Sequence, residues 1–154
     1  MSKAILPIAN EKQIANGLCW AAALAPIVTY VTGKSITQHP LCDAAGRRPS
    51  DGATLDDMSR ALRRAASIFA FQTRPISAEV VFKHLSARRP ILLVLDVGHT
   101  FQCHCVCLRG LVHDGEWQAI INEPNLATHH SVYVPFSRVR AAWREGLVIH
   151  GRST

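Results

Sequence analysis

A chain of 154 residues with 48% hydrophobic content can bury a core of its own. No composition shift, repeat or low-complexity tract divides it, so residues 1–154 are expected to form a single domain. A net charge of +6 and a pI near 9.4 would suit an acidic partner. The basic residues are nevertheless scattered (Arg47-Arg48, Arg60, Arg63-Arg64, Arg88-Arg89, Arg138 to Arg144), without an aromatic platform or a DNA-reading motif, which argues against direct nucleic-acid binding. No apolar run reaches the ~18 residues of a membrane span, and MSKAILPIANEKQ lacks a signal-peptide core, so neither membrane insertion nor Sec export is expected.

Gln13 to Ala22, QIANGLCWAA, is the most informative stretch. Asn16-Gly17 signals a turn, and Trp20 to Val31 is apolar and long enough for a helix, which puts Cys19 in the first helical turn. Unpaired backbone N–H groups and the positive end of the helix dipole stabilise a thiolate there, whereas a free thiol with a pKa near ~8.5 is mostly protonated. Gln13, six residues upstream, is placed to donate to the oxyanion of a tetrahedral intermediate. Pro26 removes a backbone donor inside the same segment and predicts a kink or interruption beyond the first turn.

The segment Pro40 to Gly52 reads as a loop able to line a substrate cleft. Thr54-Leu-Asp-Asp57 then opens a helix through about Ser67, with Leu55, Met58, Leu62 and Ala65 as its inner stripe. Phe69 to Phe71 is a short strand candidate. Ser77 caps a second amphipathic helix through about Ala87, with Val80, Val81, His84 and Leu85 facing inward.

Pro90 to Val97 reads as a buried strand and Cys103 to Gly110 as the next. Period-two alternation groups Cys103, Cys105 and Cys107 on one face and His104, Val106 and Leu108 on the other, so the histidine is expected to face away from those thiols. After the turn His113 to Glu116, the strand Trp117 to Ile121 returns antiparallel and brings Asn122-Glu123-Pro124 near His104. Alternation sends Asn122 and Glu123 to opposite faces, so one of them meets the imidazole. Both stay open, with Glu123 favoured. Ser131 to Pro135 reads as a strand, Ser137 to Arg144 as a short helix, and Leu147 to Ile149 as a terminal strand. Helices followed by an antiparallel sheet make an α+β pattern.

Each of these residues has a plainer reading. A single cysteine on an apolar helix is usually a small buried hydrophobe, a histidine in an apolar strand is usually a hydrogen-bonded core residue, and Asn-Glu-Pro is an ordinary turn. Their joint order is what favours catalysis. The run Cys103-His104-Cys105-Val106-Cys107 invites a metal reading, but structural zinc sites use C-x₂₋₄-C pairs on turns, so a core face of thiols is preferred. His129-His130 has no partner motif and reads as a solvated loop. No metal or cofactor is expected. An odd count of five cysteines, one of them needed as a thiol, points to a reducing compartment without a disulfide framework.

These motifs resemble the papain-like cysteine proteases, in particular small bacterial members such as plant-pathogen effectors and the double-glycine peptidases that process bacteriocins. Gln13 with Cys19-Trp20 matches the family's oxyanion glutamine, nucleophile and following tryptophan. Gly98 to Gly110, GHTFQCHCVCLRG, is similar to its histidine strand, and Asn122-Glu123-Pro124 to the segment carrying the third catalytic residue, where the bacterial branch has Asn-Asp-Pro. The resemblance implies a helical half bearing the nucleophile and an antiparallel sheet half bearing the histidine, with the cleft between them. It also implies that Cys19 is the nucleophile, His104 the general base, Gln13 the oxyanion donor, Glu123 or Asn122 the orienting residue, and that Trp20 contributes to substrate binding.

The implied activity is peptide-bond cleavage in a protein substrate. The implied setting is an effector or toxin delivered by a dedicated secretion system into a target-cell cytoplasm, with a cognate immunity protein as a further partner. The same thiol chemistry also serves deamidases and transglutaminase-like acyltransferases, and a non-catalytic binding module on a protease-like fold is the competing class.

Overall fold

The computed structural model describes residues 1–96, 104–125 and 131–152, with no side-chain description for Arg152. Val97 to Cys103 and His129-His130, which the sequence reading assigned to strand ends and a loop, lie outside the described residues.

The chain opens with β1 (Ser2–Ile5), and a single 3₁₀ turn, Asn16–Leu18, leads directly into α1 (Cys19–Thr32). Pro26 does not interrupt α1, which continues to Thr32 and ends at Gly33 in the left-handed conformation. The helix is apolar nearly all round because it is a core element: Trp20 through Val28 are buried. Burying Leu24 and Ile27 contributes about 1.5–3 kcal/mol each.

Part of the expected loop Pro40 to Gly52 is instead α2 (Gln38–Ala44), with Pro40 in its first turn, where a missing N–H costs nothing. Next comes α3 (Leu55–Ala66), closed by the expected capping box: Asp57 N–H donates to Thr54 Oγ1 and Thr54 N–H to Asp57 Oδ2. Leu55, Met58 and Leu62 face the core as expected, but Ala61 takes the fourth inner position and Ala65 is exposed, at the end of the helix just before Ser67 turns left-handed.

β2 (Ile68–Thr73) precedes α4 (Ala78–Ser86), whose N-cap is Ser77. Ala78, Val81 and Leu85 are its buried positions, while Val80 is exposed and His84 half-buried. β3 (Ile91–Leu95), β4 (His104–Asp114) and β5 (Glu116–Asn122) form the centre of the sheet, with Gly115 at positive φ in the β4–β5 turn. β6 (Val132–Pro135), α5 (Phe136–Ala142) and β7 (Trp143–Arg152) complete the chain.

Among the described residues the sheet has seven strands, six of them in the order β2-β7-β3-β4-β5-β6, all pairings antiparallel. β1 pairs with β4 at Gly110 to His113, continuing the edge along which β3 pairs with His104 to Leu108. The terminal strand is thus far longer than Leu147 to Ile149, and it inserts between β2 and β3. The class is α+β as expected, with Cys19 on a helix of the first half and His104 on the sheet of the second, although the sheet also recruits β1 and β2 from the first half. α1 packs on β4, α3 on β2 and β7, and α4 on β1 and β4. No helix among the described residues is long and apolar enough to cross a membrane.

Candidate active site

Cys19 is the first residue of α1, and His104 is the first of β4. Packing α1 across β4 brings the two side chains into a hydrogen bond. Nε2 of His104 is taken by Oε1 of Glu123, which leaves Nδ1 for the sulfur. Asn125 N–H donates to the same Glu123 oxygen at 2.9 Å and fixes the carboxylate.

Electrostatics follow from this chain of contacts. A hydrogen bond from the Cys105 side chain is the largest influence on Cys19; burial opposes it, and the hydrogen bond to His104, the Cys105 backbone and the imidazolium charge add to it, bringing the thiol down to about 4. Burial alone would lower His104, but hydrogen bonds to Cys19 and Glu123 and the charges of both lift it to about 9. Between these limits the pair is a thiolate and an imidazolium. By contrast, burial pushes Cys107 up to about 12 and also raises Cys42, whose thiol donates to the Arg47 carbonyl at 3.0 Å. Those two thiols are inert core groups.

Asn122 lies elsewhere. It is buried, with Nδ2 donating to the Ile8 and Ala9 carbonyls at 3.0 and 2.9 Å, and Oδ1 accepting from Ser131 at 2.6 Å. It holds an irregular strap, Leu6 to Gln13, against the sheet. Further ties along the strap are Leu6 N–H to the Arg109 carbonyl and Gln13 N–H to the Pro124 carbonyl, at 2.8 and 3.0 Å. Buried Gln38 secures its far end, donating to Lys12 O and Glu11 Oε2 and accepting from Ile14 N–H.

Gln13 therefore arrives beside Pro124, next to Glu123. Its Nε2 donates to the carbonyls of Ala15 at 3.1 Å and Asn16 at 3.4 Å, and its buried Oε1 has no hydrogen-bond partner among the described residues. Trp20 lines the cleft but is only 1% exposed, so it forms the floor and offers little surface.

The expectation that His104 turns away from the thiols of its strand does not hold for Cys105. Both residues reach Cys19, one through its ring and the other through its thiol and backbone N–H. Cys105 is the site residue that sequence reasoning missed.

The cleft has a volume of about 330 Å³. Its lining includes Cys19, Cys105 and Val94, the segment Ser50 to Thr54, and Arg144 and Glu145. Of the expected loop lining, Ser50, Asp51 and Gly52 take that place. Gly17 lets this segment approach closely, since a Cβ there would sit 2.1 Å from the Pro49 carbonyl oxygen. Among the described residues, no group of three His, Cys, Asp or Glu side chains is placed to hold a metal ion.

A half-buried thiolate–imidazolium pair whose sulfur lines a cleft is equipped for acyl transfer. The fold is shared with solved peptidases. The peptidase domain of Streptococcus ComA, a bifunctional ABC transporter of a quorum-sensing pathway, is 16% identical with a TM-score of 0.75, covering 94% of this chain and 99% of that one. A putative C39-like peptidase from Bacillus anthracis is 17% identical with a TM-score of 0.72, covering 99% and 100%. A double glycine motif protease from an AMS/PCAT transporter, solved in complex with the leader peptide, is 19% identical with a TM-score of 0.70, covering 95% and 93%. No curated protein matches the chain. The family model described as papain-like cysteine protease AvrRpt2 matches residues 3–137, so the chain belongs to that family and is a cysteine peptidase.

Proposed function

We propose that this peptidase cleaves peptide bonds in a protein target with Cys19 as nucleophile, His104 as general acid and base, and Glu123 as the residue that orients the imidazole. The observation that carries this reading is the unbroken contact chain from Cys19, which lines the cleft, through His104 to Glu123 behind it. The Cys19 thiolate adds to the scissile carbonyl, and the Cys19 backbone N–H and Gln13 Nε2 receive the oxyanion, the glutamine by giving up its longer bond to Asn16. Collapse breaks the C–N bond as His104 protonates the departing amine. His104, now neutral, takes a proton from water, which hydrolyses the thioester and regenerates the pair.

The reading extends to residues 1–154 as one catalytic domain acting as a bacterial effector or interbacterial toxin in a target-cell cytoplasm, with an immunity protein where producers must be spared. Its support is the motif resemblance to plant-pathogen effectors and the family match. A peptide segment as substrate is taken over from the neighbour solved with a leader peptide.

The test is expression of wild type and Cys19→Ala in bacterial cytosol, reading growth together with a proteome-wide search for new N-termini. Growth arrest with new termini confined to wild type is the expected result and identifies the target. Toxicity without new termini would replace proteolysis by deamidation or acyl transfer on side-chain amides. Identical behaviour of the two proteins would overturn the reading in favour of a binding module.

A further inference from the structure

Cys105 touches the nucleophile, yet the acyl-transfer cycle has no covalent use for it. It follows His104 in β4, pairs across the sheet with Val94, and shares the cleft wall with Val94 and Cys19. Its thiol and its backbone N–H both hydrogen-bond the Cys19 sulfur. No disulfide joins the two side chains. The cleft wall thus holds a reactive thiolate and a second thiol in direct contact, while Cys42 and Cys107 are buried away from it.

The neighbourhood fits the chemistry of a resolving cysteine. A thiolate that stays ionised and meets solvent through a cleft is the form that peroxides oxidise. The sulfenic acid so formed either condenses with a neighbouring thiol or is oxidised further, to the irreversible sulfinic acid. A thiol already in hydrogen-bond contact makes condensation effectively intramolecular. At 4% exposure, Cys105 is also poorly placed to react with solutes on its own account.

Building on Cys19 as the nucleophile, we propose that Cys19 and Cys105 form a reversible disulfide under hydroperoxide, a modification that silences the peptidase and protects its nucleophile from irreversible oxidation. In the first step the Cys19 thiolate attacks the hydroperoxide, forming an S–O bond as the O–O bond breaks, and the leaving oxygen takes a proton from the His104 imidazolium to depart as an alcohol or water. In the second, the Cys105 sulfur displaces the hydroxyl of the Cys19 sulfenic acid, forming the S–S bond and releasing water. Two electrons leave the thiol pair and reduce one hydroperoxide, and a dithiol reductant returns them.

The test uses the purified chain treated with a small excess of hydrogen peroxide. It reads Cys19 alkylation by iodoacetamide, intact mass and disulfide-linked peptides, none of which requires a known substrate. Wild type is expected to lose about 2 Da and nearly all Cys19 alkylation, to yield a linked peptide pair containing Cys19 and Cys105, and to recover at least about 80% of the alkylation with dithiothreitol. Cys105→Ala is expected to gain about 32 Da at Cys19 without recovery, while Cys107→Ala oxidises as wild type does. The peptide map of wild type decides the matter even if Cys105→Ala fails to fold. Sulfinic acid on Cys19 of wild type, or a link from Cys19 to any cysteine other than Cys105, would overturn the proposal. Slow, unselective alkylation of Cys19 before any oxidant is added would instead overturn the nucleophile assignment on which it rests.

Discussion

Glu123 and Asn122 are adjacent in sequence and have separate partners: Glu123 contacts His104, whereas Asn122 clasps the Ile8 and Ala9 carbonyls. Their substitutions should therefore separate. Glu123→Ala is expected to lower kcat/KM by roughly 10²-fold and to bring the alkaline limb down from about 9, because the imidazolium loses its anionic partner. Asn122→Ala should leave that limb in place while costing about 1–3 kcal/mol in denaturant unfolding. An unmoved limb in Glu123→Ala would remove Glu123 from the triad.

Activity should follow a bell-shaped pH profile with limbs near 4 and 9, which belong to the coupled pair. As pH falls through the acid limb, the thiolate gains a proton and ceases to attack. As pH rises through the alkaline limb, the imidazolium loses the proton that the leaving amine requires. Iodoacetamide alkylation of Cys19 should share the acid limb. An acid limb in the ordinary thiol range, near ~8.5, would show that Cys19 is not paired.

Gln38→Leu tests the strap. The substitution removes three hydrogen bonds, to Glu11, Lys12 and Ile14, and should destabilise the fold by about 1–3 kcal/mol. It should also lower kcat more than it raises KM, since Gln13 loses its seat, while alkylation of Cys19 near neutral pH keeps the wild-type rate. A parallel loss of alkylation would place the effect at the thiolate and not at Gln13, the proposed oxyanion donor.

Gly17→Ala forces a Cβ against the Pro49 carbonyl, a backbone atom with no rotamer to yield. A loss of about 1–3 kcal/mol is expected in thermal or denaturant unfolding. Gly46→Asn is the control: its φ of 72° suits asparagine and a Cβ there meets open space, so the change should stay within about 1 kcal/mol. Equal effects at both positions would refute the steric account.

The parts of the site legible in the sequence were those set by local chemistry. Cys19 in a first helical turn, Thr54 and Ser77 as caps, and the alternation separating Asn122 from Glu123 all depend on neighbours within a few residues. The rest depends on partners far along the chain. β1 is four residues long and needs β4, more than a hundred positions away, to be a strand at all. β7 extends well beyond its apolar centre because β2 and β3 pair with it on both sides. Cys105 was assigned to a bland core face because period two describes one strand and says nothing of a helix end arriving over it. Helix α2 was hidden by a proline that is harmless at its actual position.

The strap behaves as a molecular ruler. Asn122 grips it at Ala9 and Pro124 grips it again at Gln13, so the number of residues between the two grips decides where Gln13 meets the segment that carries Glu123. One residue inserted or removed there would leave the sheet, the helix and the cysteine–histidine pair untouched and still put the amide out of step with them. The position of Gln13 is thus set by counting as much as by packing, over a stretch of four peptide bonds.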